Sequence, residues 1–250
     1  GDMACGEYGE GKMTEPSQII TYLTNFFTIN KITSKIKLKA LVTAGPTKEY
    51  IDPARFISNQ SSGKQGYEIA RSLAKRGIDT TLISGPTNLD TPENVNIIRI
   101  ETAKEMFEET KKKLPADIAI CAAAVSDFKI ANFYNNKIKK KDKMSLDFEK
   151  NIDILEYLSN HNSLRPKLVL GFAAETNDLL KNAQEKILTK HCDWIIANDI
   201  SKAGTSFGSD FNEVSIVYKE KNKQNETISR RSKSEIAEII TDKVVENFIS

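Results

Sequence analysis

The sequence predicts a three-layer, Rossmann-like α/β domain: a mostly parallel sheet covered by helices on both faces, with a lysine-rich flap. Three observations carry this. From Lys39 onward short apolar runs alternate with longer periodic stretches, the order that builds a parallel sheet. The runs are nearly continuous in Val, Ile, Leu and Ala, as strands buried on both faces require. The first run empties into a polar loop of more than twenty residues before any helix begins, whereas joints of this kind usually need about two to six.

Taken in order, residues 1–37 stand apart, because GDMACGEYGEGKMTEP is glycine-rich and Ser17 to Ile29 is only weakly periodic. The strands follow at Ala40–Thr43, Thr80–Ser84, Ile97–Ile100, Ile118–Ala122, Leu168–Phe172, Trp194–Ala197 and Val214–Tyr218. Helices are expected between them at Gly66–Lys75, Ala103–Leu114, Leu179–Lys190 and Lys233–Phe248. Thr102 with Glu105, and Ser232 with Glu235, have the spacing of a capping box at two of those starts. Phe128 to Lys150 breaks the alternation and reads as a hairpin-type excursion rich in lysine.

Composition narrows the function classes. The chain has 250 residues, 39% hydrophobic and 28% charged, with a formal net charge of +2. Near-balanced charge gives no argument for nucleic acid, and no apolar run reaches the length of a membrane span. The local excess of charge is Lys137, Lys139, Lys140, Lys141 and Lys143. Three cysteines, Cys5, Cys121 and Cys192, without metal-type spacing, fit a reducing cytoplasm. His161 and His191 have no partners by spacing, which argues against a hydrolytic triad or a zinc site.

The long joint LVTAGPTKEYIDPARFISNQSSGKQG, Leu41 to Gly66, carries the candidate chemistry. Its glycines and its paired hydroxyls, Ser61 and Ser62, suit a phosphorylated ligand at the carboxyl edge of a sheet. It is not a Walker loop, because Gln65 stands where a serine or threonine is needed after Lys64. Nor does Gly45-Pro46-Thr47 supply the glycine pattern of a nicotinamide-dependent reductase. Asp127 follows an apolar strand and suits a hard cation, with a turn cap as the alternative. Arg55 can pair a phosphate or carboxylate, or form a surface ion pair; Lys186 and Lys190 are one helical turn apart. Phe172 by itself reads as core.

Six blocks in order carry a resemblance: the joint itself, AAAVSDF (Ala122–Phe128), KIKK (Lys137–Lys140), KNIDIL (Lys150–Leu155), GFAAET (Gly171–Thr176) and DWIIANDISKAGTSFGSDFN (Asp193–Asn212). The chain resembles phosphopantothenoylcysteine synthetase, in the bacterial branch where synthetase and decarboxylase share one polypeptide. The resemblance implies a CTP-dependent ligase at 38–250 that joins 4′-phosphopantothenate to L-cysteine, with Mg²⁺, as a cytoplasmic homodimer. It implies that Lys137, Asn59 and Arg55 are catalytic. It assigns the nucleotide to Cys121, Ala122, Ala123, Asp127, Lys137, Asp153, Ile154, Leu155, Glu156, Phe172, Lys186 and Lys190, with Asp127 on the metal. Residues 1–37 would be a decarboxylase remnant plus linker, with Cys5 its proton donor and FMN confined to the decarboxylase part. The chain departs from the family pattern at Ile152, where proline is usual, and at Leu155, where valine is usual. A non-catalytic nucleotide-binding module is the reading from another class; it predicts binding without pyrophosphate release.

Overall fold

The computed structural model describes residues 37–139, 145–201, 208–220 and 222–249, together with 15–17, 19, 20 and 23. Cys5, Lys140, Lys141 and Lys143 lie outside them. Six parallel strands form the centre of an eight-stranded sheet: β1 (Lys39–Ala44), β4 (Asp79–Ser84), β5 (Val95–Arg99), β6 (Ile118–Cys121), β9 (Leu168–Glu175) and β10 (Trp194–Asp199). Two antiparallel strands, β11 (Phe211–Tyr218) and β12 (Glu226–Ser232), close one edge, so the order is β12-β11-β10-β9-β6-β1-β4-β5.

The side chains of each strand divide by a period of two between two cores. Ala40, Val42 and Ala44 face one layer, with Tyr67, Ile69 and Leu73 of α1 (Lys64–Lys75) and Ile236, Ile240 and Val244 of α5 (Lys233–Glu246). Leu41, Ile195 and Ala197 face the other, with Met106 and Phe107 of α2 (Ala103–Lys112), Ile154 and Leu158 of α3 (Ile154–Ser159) and Ala183 and Ile187 of α4 (Leu179–Lys190). Trp194 is buried edge-on to Tyr218, their ring centroids 5.3 Å apart, and fixes the β10–β11 junction. Both capping boxes form as the spacing predicts, Thr102 with Glu105 and Ser232 with Glu235.

Three expectations are corrected. The long joint is not all loop: β2 (Lys48–Asp52) and β3 (Arg55–Ser58) pair within it as an antiparallel hairpin. The edge strand β12 escaped the sequence reading because ETISRRS has no apolar run, as a strand with one solvated edge allows. The short helix α3 was hidden by its length of six residues. The expected excursion from Phe128 to Lys150 is a hairpin at its root, where β7 (Phe128–Ile130) pairs with β8 (Phe148–Lys150).

Candidate functional site

From β1 the chain runs through β4 to β5 on one side of the sheet, and from β6 through β9 to β10 on the other. Strand order therefore reverses between β1 and β6, and ligands of open α/β sheets bind in the crevice outside such a reversal. A cleft of about 1170 Å³ opens there. Its walls are the end of β1 at Thr43, residues 59–66, residues 121–128 after β6, residues 150–157, and Phe172 and Ala174 of β9. Lys186 and Lys190 of α4, Asn198, Ile200, Asn212 and Lys233 complete it.

The loop after β6 is fastened to the joint after β1 rung by rung. Ala122 N–H donates to Thr43 O at 3.1 Å, and Ala124 N–H donates to Gly45 O at 2.9 Å. Ser126 N–H donates to the buried Thr47 Oγ1 at 3.0 Å. Asn59 Nδ2 donates to Val125 O at 3.0 Å, and so spans the two loops at the mouth of the cleft. This lacing holds Ala122 and Ala123 as a wall with little side chain, which leaves room for a ligand against the backbone. Asp127 is exposed on the same rim, where its carbonyl accepts from Asn151 N–H at 2.9 Å.

At the foot of α1, Gly63 takes φ 75°, a left-handed conformation suited to glycine, and no side chain caps the helix. Ser61 Oγ accepts from Gly63 N–H at 3.2 Å and Ser62 Oγ from Lys64 N–H at 3.4 Å. Gly66 is demanded by packing, since a Cβ there would lie 2.6 Å from Ala44 Cβ. The glycine brings α1 down onto β1 and so sets the serines on the cleft rim.

Opposite, Asp153 caps α3 by accepting from Glu156 N–H at 2.9 Å. Lys190 Nζ lies 2.9 Å from Asp153 and 2.8 Å from Glu156; the hydrogen bonds it donates to Glu156, then to Asp153, raise its ammonium pKa. Lys186 Nζ pairs with Glu175 at 2.9 Å. Each lysine is thus aimed by a carboxylate. Burial, chiefly, pushes the Cys121 thiol up and holds the Cys192 thiol at about 12, so the former is a wall residue, not a nucleophile. Both cysteines are free thiols.

Of the sequence-predicted residues, the structure brings Asn59, Cys121, Ala122, Ala123, Asp127, Asp153, Ile154, Leu155, Glu156, Phe172, Lys186 and Lys190 around one cleft. Phe172 is half-buried on its wall rather than wholly within the core. Lys137 is exposed on the flap and does not line the cleft, and neither does Arg55. The Arg55 guanidinium instead meets the fully buried Asp52 and donates to Ile138 O at 2.8 Å. Within this chain Arg55 therefore ties the β2–β3 hairpin to the flap. Sequence reasoning assigned no role in the cleft to Lys233 or Lys150, and none of their own to Lys64, Asn198 and Asn212; the fold carries Lys233 across from the far end of the chain.

A second recess of about 1250 Å³ shares Ser61, Ser62 and Lys64, and its wall mixes Glu101, Glu105, Glu108 and Glu109 with Arg99, Lys104 and Lys112. Its carboxylates balance its cations, whereas in the cleft Lys64, Lys150, Lys186, Lys190 and Lys233 outnumber Asp127, Asp153 and Glu156. The lysine-lined cleft is the better anion site.

The chain matches the family model described as DNA/pantothenate metabolism flavoprotein C-terminal domain over residues 36–248. It is 40% identical over 250 residues to the coenzyme A biosynthesis bifunctional protein CoaBC of Haemophilus influenzae, covering 99% of this chain and 61% of that protein. To the protein of the same name from Vibrio cholerae it is 39% identical over 224 residues, covering 88% and 55%. The chain therefore spans between 55% and 61% of the length of these two curated relatives. Among solved structures, the C-terminal domain of CoaBC superposes with a TM-score of 0.70 at 32% identity, covering 84% of this chain and 95% of that one. A DNA/pantothenate metabolism flavoprotein from Streptococcus pneumoniae superposes at 0.68 with 26% identity, covering 83% and 98%. The match to the family model over nearly all of the described sheet, on a fold shared with the solved CoaBC domain, means that the chain belongs to the family of the DNA/pantothenate metabolism flavoprotein C-terminal domain.

Proposed function

We propose that residues 38–250 form a ligase of coenzyme A biosynthesis that joins 4′-phosphopantothenate to L-cysteine, with CTP as the activating nucleotide. The observation that carries this reading is the lysine-lined cleft at the β1/β6 reversal, in which Asn59, Asp127, Phe172, Lys186 and Lys190 face one space. Membership of the family supports it. So does the fold shared with a solved Cab2 mutant in complex with phosphopantothenate-cysteine, at a TM-score of 0.67 and 16% identity.

The chemistry explains the charge. A carboxylate oxygen attacks the nucleotide α-phosphorus, the bond to pyrophosphate breaks, and an acyl-cytidylate results. The cysteine amine then attacks the acyl carbon, loses a proton, and CMP leaves with the bonding electrons. The first step brings anions together, so cations and N–H donors aimed at the phosphates lower its barrier. Lys186 and Lys190, held by their carboxylates, can supply that charge at the cleft. Lys137 on the flap would add charge to the same phosphates. Asn59 lies on the rim where the acyl group would be held, and the flap and cleft would operate in a cytoplasmic homodimer.

Asp127 fits Mg²⁺, which is commonly held by one or two carboxylates together with substrate phosphates. No group of three or more acidic, His or Cys side chains able to hold a metal occurs among the described residues, so the nucleotide would complete the shell. The ion would neutralise charge on the phosphates. FMN belongs to the decarboxylase reaction and takes no part in this one.

The test mixes the protein with Mg²⁺, 4′-phosphopantothenate and cysteine, and compares pyrophosphate release with CTP and with ATP. Release with CTP is expected. No release with either nucleotide refutes the ligase; nucleotide binding without release favours the non-catalytic module.

A further inference from the structure

Two asparagines line the cleft without a part in the chemistry above: Asn198 near the end of β10 and Asn212 near the start of β11. Strands β9, β10 and β11 are neighbours in the sheet, and Ala174 of β9 stands in register with Asn198. Leu170, Ile196 and Val214 on these strands pack into the core beneath α1 and α5. Phe172, Ala174 and Asn198 keep the same parity, so they carry that face past the core and into the cleft. Asn212 joins them at an irregularity. The register of β11 with β12 slips between Asn212 and Val214, a bulge of the kind that re-aims a side chain.

Asn212 is only 5% exposed. Its Oδ1 accepts from Glu213 N–H at 2.9 Å, which fixes the carboxamide and leaves Nδ2 as its other end. That Nδ2 donates to no described residue, and neither does Nδ2 of the half-buried Asn198. Buried amide donors are satisfied in the great majority of cases. The bond to Glu213 explains an oxygen at this position, not the amino group beside it.

The neighbours say what that amino group suits. Phe172, Ala174 and Ile200 make the adjoining wall apolar, with an aromatic ring and a side chain no larger than a methyl group. Phosphate oxygens have the lysines of the cleft to meet, Lys186 and Lys190 from α4 and Lys64 and Lys233 from α1 and α5. The asparagine donors are left for an acceptor without charge. A flat group with a carbonyl oxygen gains contact from the apolar wall and a hydrogen bond from the amide.

We propose that Asn212, with Asn198, donates to the carbonyl oxygen of an uncharged planar group seated against Phe172 and Ala174. This rests on the ligase reading only for the identity of the ligand: the cytosine ring and the amide of 4′-phosphopantothenate both present such an oxygen.

The experiment is calorimetry on the whole chain and on Asn212→Asp, titrated separately with Mg²⁺·CTP, 4′-phosphopantothenate and pyrophosphate. Aspartate keeps the shape of the side chain and an oxygen to accept from Glu213 N–H, and it replaces only the unused donor. Pyrophosphate has charge but no carbonyl, so it reports the effect of the added negative charge alone. Exchanging a donor for an opposing lone pair should weaken CTP or 4′-phosphopantothenate on the order of 10-fold or more beyond any change for pyrophosphate. Weakening confined to CTP assigns the wall to the base; weakening confined to 4′-phosphopantothenate assigns it to the acid. Unchanged affinity for both, or an equal loss for pyrophosphate, overturns the proposal even if the wild type releases pyrophosphate normally. Selective weakening in a protein that releases no pyrophosphate upholds the carbonyl site and sinks the ligase, whereas a wild type that binds neither ligand overturns both. Should Asn212→Asp not fold, the side-chain amide signal of Asn212 in ¹⁵N-labelled wild type decides. It must shift with CTP or 4′-phosphopantothenate and stay in place with pyrophosphate; a signal that none of the three moves overturns the proposal.

Discussion

Asp52 shows how one buried charge ties an element to the flap. Its carboxylate is fully buried at the turn between β2 and β3 and accepts from Ala54 N–H at 2.8 Å, Arg55 N–H at 3.0 Å, Ile138 N–H at 3.0 Å and Arg55 Nε at 3.0 Å. The Arg55 hydrogen bond holds Asp52 well below the usual carboxylate range, against the opposing effect of burial and with help from the N–H groups of Ile138 and Ala54. Because the folded pKa lies below the unfolded value of about 3.9, the contribution to stability is complete above that pH and is lost as the pH falls toward the folded value. Asp52→Asn should therefore be less stable than wild type at pH 7 and lose less of its remaining stability between about pH 4 and 2. Urea unfolding across that range checks it, and parallel acid limbs for the two proteins would rule it out. Ile138 adjoins Lys137, so on the proposed ligase reading, with Lys137 acting on the phosphates, the same variant should slow pyrophosphate release while leaving CTP affinity within about twofold, the split expected when a group acting in the transition state is displaced. The sequence displayed both Asp52 and Arg55 three residues apart. It could not display that the acid is buried, and without that fact the arginine reads as free to bind substrate.

Among the elements, the central strands were legible because a strand buried on both faces has little freedom in composition: ILE-, VAL- and LEU-rich runs at β1, β4, β6, β9 and β10 announce themselves. The β2–β3 hairpin and β12 were not, because their stability comes from neighbours and caps that no local pattern encodes. Helix α1 was read two residues short at its start, since the capping residue is a glycine and the helix opens on a polar pair, Lys64 and Gln65. Its close seat on β1 yields a sharper expectation. Replacing Gly66 by alanine gains up to about 1 kcal/mol of helix propensity. The new Cβ would stand 2.6 Å from Ala44 Cβ, and overpacking of this kind costs about 1–3 kcal/mol. The net change should be a loss of up to about 2 kcal/mol, with weaker binding of a phosphorylated ligand in the cleft because Ser61, Ser62 and Lys64 move with the helix. Thermal unfolding and CTP titration of Gly66→Ala measure both, and a more stable variant would mean that α1 has room to shift.

At the scale of the whole molecule, the cleft is assembled from segments between Thr43 and Lys233, so the site exists only when the sheet is complete. The six sequence blocks could be listed in order, but their convergence depends on the reversal between β1 and β6, which strand order alone decides. No helix among the described residues is long and apolar enough to cross a membrane. Among the described residues both cores are built from Leu38 onward, and the family match begins at residue 36. Of the described residues before Lys37, Ile20 and Leu23 are 63% and 44% exposed, so they contribute little to either core. The family match begins at residue 36, so deleting residues 1–36 should leave the domain folded. CTP-dependent pyrophosphate release should survive the deletion with an unchanged KM for the nucleotide. Thermal unfolding of the truncated and whole chains, followed by the coupled release assay, makes the comparison. A destabilised but active truncation would place the first 36 residues against the domain surface, whereas a stable but inactive one would make them part of the site.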